Sequence, residues 1–386
     1  MSMKDILVVG AGFSGAVLAR CLAEKTDARI LVIDSRSHVA GNCHTSVDDQ
    51  TGIMVHRYGP HIFNTSHYDV WEFIGQFCSM QPYTNRVKVT NASGVYSFPI
   101  NLHTINQFFG KRLSPSEARS LVRELSRREI VEPKNFEEQA LSLIGRELYE
   151  AFFYGYTKKQ WGCEPKELPA SILKRIPIRF NYDDNYYQAP LQGIPAEGYT
   201  AVVTRMLSHP RISLLLETAY DSAMSDDAMH TFYSGSLDSF FGYRCGRLGY
   251  RTVEFKEHRS EEDFQGCAVM NYTDVGVPFT RIHEHKYFST STKGGPSISF
   301  IECSKETSSD DTPYYPKRLP RDIDLLASYE RLADGVENVT FLGRLGTYRY
   351  LDMDVTIGEA MDLADKVVSC LENGLSVPVF GPRRSK

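Results

Sequence analysis

The chain has 386 residues, 42% hydrophobic and 24% charged, with a formal net charge of −5. That length holds two or three domains and a large core, and the mild acidity excludes any general attraction to nucleic acid or an anionic membrane. Eight scattered cysteines without CxxC spacing argue against a zinc site or a disulfide framework, and no stretch reaches membrane-spanning length, so a cytoplasmic enzyme is expected.

The chain runs almost at once into Ile6-Leu7-Val8-Val9, so no signal peptide is expected ahead of it. Gly10-Ala11-Gly12-Phe13-Ser14-Gly15 follows, then a helix over about Ser14 to Glu24, and a second strand, Ile30-Leu31-Val32-Ile33, ending at Asp34. This order of strand, glycine turn, helix, strand and acid is that of a dinucleotide-binding βαβ unit. Gly10 permits the tight turn, Gly12 the approach of a pyrophosphate, and Gly15 close packing of helix on strand. The helix N-terminus supplies free N–H groups to the anion, and Asp34 accepts from the adenosine ribose. A basic, glycine-containing loop, Ser35 to Asn42, then suits an enclosed cofactor and favours flavin over nicotinamide.

His56 to Asn64 breaks regular periodicity and is placed on a loop beside that cofactor. Residues 83–100 alternate apolar and polar and predict antiparallel strands. From Ser114 to Glu150 the composition is charged and helix-favouring, with Ser114-Pro115 and Asn135-Phe136 as helix starts. Residues 149–199 hold eleven aromatics interleaved with Lys174, Arg175 and Arg179. Aromatic faces stack bases and sugars, and arginines grip phosphates, so the segment suits a nucleotide-sugar ligand, with Pro169 and Pro177 bracketing a lid. The bland alternative is an aromatic core with a basic edge. Tyr199 to Ser208 predicts a helix, and residues 251–305 further strands. Arg281 is a second phosphate-clamp candidate. His283-Glu284-His285 lacks a third ligand, so the structural reading is favoured over a metal site. Val339 to Gly343 predicts a strand, followed by a helix over Val355 to Glu372 whose N-terminus would lie under a flavin ring. There is no second GxGxxG. The flavin therefore serves either an oxidase-like enzyme or one that begins and ends at the same oxidation state.

Several blocks together resemble the bacterial UDP-galactopyranose mutase family over essentially the whole chain. These are the glycine turn at 10–15, Tyr58-Gly59-Pro60-His61-Ile62-Phe63, Gly155-Tyr156-Thr157-Lys158-Lys159-Gln160-Trp161-Gly162, Lys174-Arg175-Ile176-Pro177, Pro313-Tyr314-Tyr315-Pro316 and Gly343-Arg344-Leu345 with Tyr350-Leu351-Asp352. The resemblance implies an α/β fold: a Rossmann-like FAD-binding domain with an inserted helical domain and an antiparallel six-stranded sheet domain. The expected boundaries are 1–82, 195–240 and 316–386 for the FAD-binding domain, 101–162 for the helical domain, and 83–100, 163–194 and 241–315 for the sheet domain. It implies interconversion of UDP-galactopyranose and UDP-galactofuranose without net redox change, through an adduct between N5 of reduced FAD and C1 of the sugar.

The resemblance implies that Arg175 and Arg281 clamp the diphosphate, with His61 beside the isoalloxazine. FAD would be held by Gly10, Gly12, Phe13, Ser14, Gly15, Asp34, Ser35, Gly41, Asn42, Tyr58, His61, Arg344, Tyr350, Leu351 and Asp352. The nucleotide sugar would meet Asn85, Phe152, Tyr156, Trp161, Tyr186, Asn271, Tyr315 and Tyr350 besides the two arginines. A homodimer is expected, with no metal, nucleic-acid or membrane partner. Two departures from the family pattern stand out. Ala40 replaces a common glycine, and Asn64 replaces a histidine beside the flavin, which opens the sugar preference to an N-acetylated galactose or another pyranose. A flavin amine oxidase or dehydrogenase and a non-catalytic nucleotide-sugar binder remain the alternatives.

Overall fold

Two large sheets with different hydrogen-bonding logic organise the chain in the computed structural model, which describes residues 6–173, 178–289 and 294–384. The first is parallel and five-stranded, in the order Ile212–Leu215, Ile30–Ile33, Ile6–Val9, His230–Tyr233 and Val339–Phe341. Ile6–Val9 is buried along its whole length. Its continuous apolar run has no polar face because structure covers both sides of the sheet. One side carries the helix Phe13–Lys25, packed on the long C-terminal helix Met353–Asn373 and on Gly198–Leu207. The other carries Tyr233, Phe241, Tyr329 and Phe341 with the helix Pro320–Ala333.

The second sheet holds six strands of four residues or more plus a two-residue edge. Its order is Tyr315–Pro316, Tyr250–Ser260, Ser297–Glu306, Arg281–Glu284, Val269–Tyr272, Val87–Asn91 and Gly94–Phe98. All pairings are antiparallel except that of Val87–Asn91 with Val269–Tyr272. Between the sheets lie a short hairpin, Thr45–Val47 with Met54–His56, and a three-stranded sheet of Phe63–Thr65, Leu191–Pro195 and Met80–Pro82. The stretch expected as an irregular loop at 56–64 thus ends in strand Phe63–Thr65.

The helical segment begins where its caps predict. Ser114 accepts from the Glu117 amide, Glu117 accepts from Ser114 in return, and Pro115 sits at the first helical position. Asn135 caps Phe136–Tyr149 through the Glu138 amide. Gly145 (φ 76°) kinks that helix, and a Cβ there would stand 2.3 Å from the Leu125 carbonyl oxygen. The two helices approach that closely only because the position is glycine. A π-helical turn, Glu150–Tyr154, leads into the helix Gly155–Trp161 that carries the YTKKQWG block.

Candidate functional site

The glycine turn is a surface without side chains. A Cβ on Gly10 (φ 106°) would sit 2.1 Å from Ser234 Oγ, and one on Gly15 only 2.0 Å from the Gly10 carbonyl oxygen. Gly12 faces Gly41, whose Cα lies 3.8 Å from where a Gly12 Cβ would be. Asp34 braces this floor: its carboxylate accepts from the Ala11 amide at 2.8 Å and the Arg36 amide at 2.9 Å. Each oxygen keeps acceptor capacity for a ribose hydroxyl. Arg36 donates from Nη2 to Asn42 Oδ1 at 2.9 Å and lies 4.8 Å from the Tyr58 ring centre, and its Nη1 is buried without a partner. A buried guanidinium nitrogen with nothing to donate to, beside a glycine floor, fits a dinucleotide pyrophosphate.

Ala40 opens the Gly41–Cys43 turn in the left-handed region (φ 72°, ψ 2°) while almost completely buried. The methyl is therefore tolerated at the cost of strain. Phe13 is buried edge-on to Tyr199, and Ser14 lies under Gly343, where a Cβ would meet its Oγ at 2.4 Å. Ser35 stays exposed at the rim.

Arg344 joins this floor to the second half of the site. It donates to the Leu351 carbonyl at 2.6 Å and lies 5.7 Å and 5.0 Å from the rings of Tyr315 and Tyr350, which stack on each other at 6.0 Å. Asp352 occupies the N-cap position of Met353–Asn373. His61 bonds through Nδ1 to the Gly59 carbonyl at 2.8 Å, which places its proton there and leaves Nε2 as an acceptor. Burial, with the positive charges of Arg344 and Arg281, lowers its pKa to about 4, so the ring is neutral at pH 7.

Arg281 is held from behind. The register of Arg281–Glu284 against Ser297–Glu306 puts it opposite Glu302, a fully buried carboxylate that takes its Nε at 2.6 Å. Thr280 Oγ1 donates to Glu302 at 3.2 Å, and His283 Nε2 lies 3.3 Å from it. With Nε fixed, the two Nη groups make no hydrogen bond among the described residues and carry the charge forward. Burial opposes that charge, but Glu302 and the phenols of Tyr156 and Tyr315 outweigh it, so the guanidinium stays ionised.

The hydroxyls of Tyr186 and Tyr315 act electrostatically on Tyr156, so these rings share one space with the arginine. Asn271 stands across the ladder from Arg281, and its Oδ1, like that of Asn85, is buried without a partner. Two orphaned amide oxygens, one of them across the ladder from an arginine, mark a place built for a polar ligand.

The remaining expected residues fall differently. Phe152 is core, packed against Tyr96 and Phe108, and so stands as a wall behind the site. Trp161 is partly buried at the end of its helix. Arg179, read as a phosphate grip, donates instead to the carbonyls of Asn185 and Tyr187 and pairs with Asp183, so its charge shapes the loop that presents Tyr186. Lys174-Arg175-Ile176-Pro177, and with it Arg175, lies outside the described residues. Asn64 pairs across the ladder with Gln192 and donates only a long bond, 3.4 Å, to the Ile62 carbonyl. His283 and His285 are fully buried in the layer between the sheets, against Phe255 and Phe300. Among the described residues no three His, Cys, Asp or Glu side chains gather to hold a metal ion, and no helix is long and apolar enough to cross a membrane.

Glu302 was missed by sequence reasoning, and Arg36 was read only as part of the basic loop Ser35 to Asn42 and not singled out. The one available signal for Glu302 was a lone carboxylate ending the apolar run Ile298-Ser299-Phe300-Ile301.

A family model described as UDP-galactopyranose mutase matches residues 151–350, and one described as an NAD(P)-binding Rossmann-like domain matches residues 8–77. A probable UDP-galactopyranose mutase of Klebsiella pneumoniae is 53% identical over 98% of this chain and 99% of its own. A dTDP-fucopyranose mutase of Escherichia coli is 48% identical over 94% of this chain and 98% of its own. The crystal structure of a reduced UDP-galactopyranose mutase superposes with a TM-score of 0.72, covering 95% of this chain and 96% of that one. At 14% identity that likeness speaks to the fold.

Proposed function

The chain belongs to the UDP-galactopyranose mutase family, and we propose that it interconverts the pyranose and furanose forms of UDP-galactose using FAD in its reduced state. The observation that carries this reading is the Arg281–Glu302 pair. A buried carboxylate fixes the guanidinium's Nε and leaves both Nη groups for a diphosphate, beside the orphaned oxygen of Asn271 across the ladder. A leaving group held in place is what an isomerisation without net loss of nucleotide requires. Arg175, inside the region matched by the family model, is assigned the second arm of the clamp.

FAD would lie along Gly12, Gly41 and Arg36 and reach Arg344 and His61; when bound and reduced it supplies a nucleophilic nitrogen for the anomeric carbon. The chain's own residues do the rest. Tyr156 and Trp161 line the uracil end, with Phe152 behind them. Tyr186, Tyr315 and Tyr350 donate to phosphate oxygens, and neutral His61 adds no competing positive charge. The stacked Tyr315 and Tyr350 rings lie 5.7 Å and 5.0 Å from the Arg344 guanidinium and set its position at the flavin end of the site. Asn64, with its single long hydrogen bond, is assigned the tolerance for an N-acetylated sugar. The protein is read as cytoplasmic, in keeping with its eight free cysteines, and as homodimeric.

The test is incubation of dithionite-reduced and oxidised protein with UDP-galactofuranose, its N-acetylated analogue and dTDP-fucofuranose, followed by chromatography. Pyranose product from the reduced form alone is expected. Equal conversion by the oxidised form, or peroxide release in place of isomer, would overturn the reading.

A further inference from the structure

The helix Gly155–Trp161 presents Tyr156 and Trp161, and the strands Val269–Tyr272 and Arg281–Glu284, joined by a single connection, present Asn271 and Arg281. These are two halves of one proposed nucleotide site, on elements far apart in sequence. A seven-residue helix has no stability of its own, so something must set its position.

Three features fix it. At its start, a Cβ on Gly155 would lie 1.9 Å from the Thr273 carbonyl oxygen, and Thr273 Oγ1 donates to the Ala151 carbonyl at 2.7 Å. At its end, Arg251, itself buried and paired with Glu306, donates to the Lys159 and Gln160 carbonyls, and Ser304 Oγ donates to Gln160 at 2.7 Å. Between them, Lys159 Nζ donates to three carbonyls of a single connection: Tyr272 at 2.8 Å, Asp274 at 2.9 Å and Phe279 at 2.8 Å. All three ammonium protons are used, all on neutral acceptors, and no carboxylate touches the nitrogen in the described structure.

We propose that Lys159 is a positioning residue that sets the Arg281–Asn271 edge against the Tyr156–Trp161 helix, so that one ammonium aligns the phosphate and base halves of the site. The proposal rests on the nucleotide-sugar reading of that site. The alignment is conditional on charge. A neutral amine has two protons for three carbonyls and loses the charge-assisted strength of those that remain. Burial lowers the Lys159 pKa to about 8, against the opposing pull of Asp274.

The other groups packed around this helix do not compete in that range. Lys158 and Glu164 pair with each other, and burial raises the Tyr156 phenol. Glu302 and Glu306 are paired with Arg281 and Arg251.

The experiment measures UDP affinity of the flavin-loaded protein by fluorescence titration at pH 7 and pH 9, for wild type, Lys159→Arg and Lys159→Met. Titration of UDP itself is common to all three and cancels. Wild type is expected to bind about tenfold more weakly at pH 9. Lys159→Arg, permanently charged, should show little change beyond the common UDP contribution, and Lys159→Met should bind about tenfold more weakly than wild type at pH 7 and match wild type at pH 9. Equal pH dependence in wild type and Lys159→Arg overturns the proposal, as does wild-type affinity in Lys159→Met at pH 7. If Lys159→Met fails to fold, the wild-type and arginine profiles alone decide. Because binding is read without turnover, UDP affinity that follows this pattern in a protein that makes no isomer would sink the isomerase reading and leave Lys159's role intact. No UDP binding by the wild type at either pH overturns both.

Discussion

The glycine floor near the amino terminus and the arginine clamp on the second sheet are both suited to a diphosphate, yet they are built from opposite materials. The floor is backbone. Its specificity lies in what is missing at Gly10, Gly15 and Gly41, where added carbons would meet other main-chain or side-chain atoms at close range, and at Gly12, which faces Gly41. The clamp is side chain. It depends on a charge at Arg281 aimed by a second, buried charge at Glu302. A backbone floor resists changes in charge and pH but accepts no added volume. A charge pair accepts modest changes of shape but fails when either partner is neutralised.

That contrast is breakable. The largest effect expected is from Arg281→Ala, which removes the proposed diphosphate contact and leaves Glu302 buried without its cation, at about 3–5 kcal/mol. Isomerisation should fall by at least a hundredfold while the protein stays yellow, because the floor is untouched. Near-full turnover in this variant would end the clamp assignment. Glu302→Gln should lie between wild type and Arg281→Ala, with the loss shared between KM and kcat.

Gly15→Ala should do the reverse. Its Cβ meets a main-chain oxygen that cannot rotate away, at about 1–3 kcal/mol. The purified protein should be pale, with a depressed melting temperature that added FAD only partly restores. A yellow, fully stable Gly15→Ala protein would contradict the floor's geometry.

Acid sharpens the comparison further. His56, His230, His283 and His285 are buried and held neutral mainly by desolvation, with His230 lowered to about 4 and His285 to about 3. Their folded pKa values lie below the unfolded one, so the unfolded chain binds more protons in acid. Stability is then complete above about pH 6.5 and lost as pH falls toward 4, at up to about 1.4 kcal/mol per ring per pH unit. Three of these rings lie by the clamp sheet, between it and the hairpin Met54–His56. Protection of its amides against hydrogen exchange should therefore weaken before that of Ile6–Val9. Simultaneous loss in both regions would show that they unfold as one.

The smallest effect is from Ala40→Gly. It relieves about 1–2 kcal/mol of left-handed strain and forfeits a buried methyl of about 0.8 kcal/mol, so a gain below about 1 kcal/mol is expected in thermal melts.

The floor was legible because its information is local. Gly10 to Gly15, Asp34 and the caps at Ser114 and Asn135 act within a few residues of themselves or at a fixed distance along one βαβ unit. Periodicity likewise placed the helix Phe13–Lys25, and most of Met353–Asn373, close to where they form. The clamp was legible only in part. Arg281 could be picked out as a phosphate-clamp candidate and Tyr156 as part of the aromatic cluster, with a family likeness supplying the role of each, but Arg179 was read as a phosphate grip because its local setting looks the same as theirs. Only the loop folding back over it shows that its donors are already used.

Residue types and their short-range order thus determined by themselves a parallel dinucleotide-binding sheet, a capped helical insertion and an aromatic, basic segment. Antiparallel register and packing decided which charges meet. Glu302 lies opposite Arg281 across 21 residues, and Lys159 reaches three carbonyls more than a hundred residues away. No pattern along the chain encodes such pairings, because they exist only once the sheet has chosen its alignment and water has been excluded from between the partners.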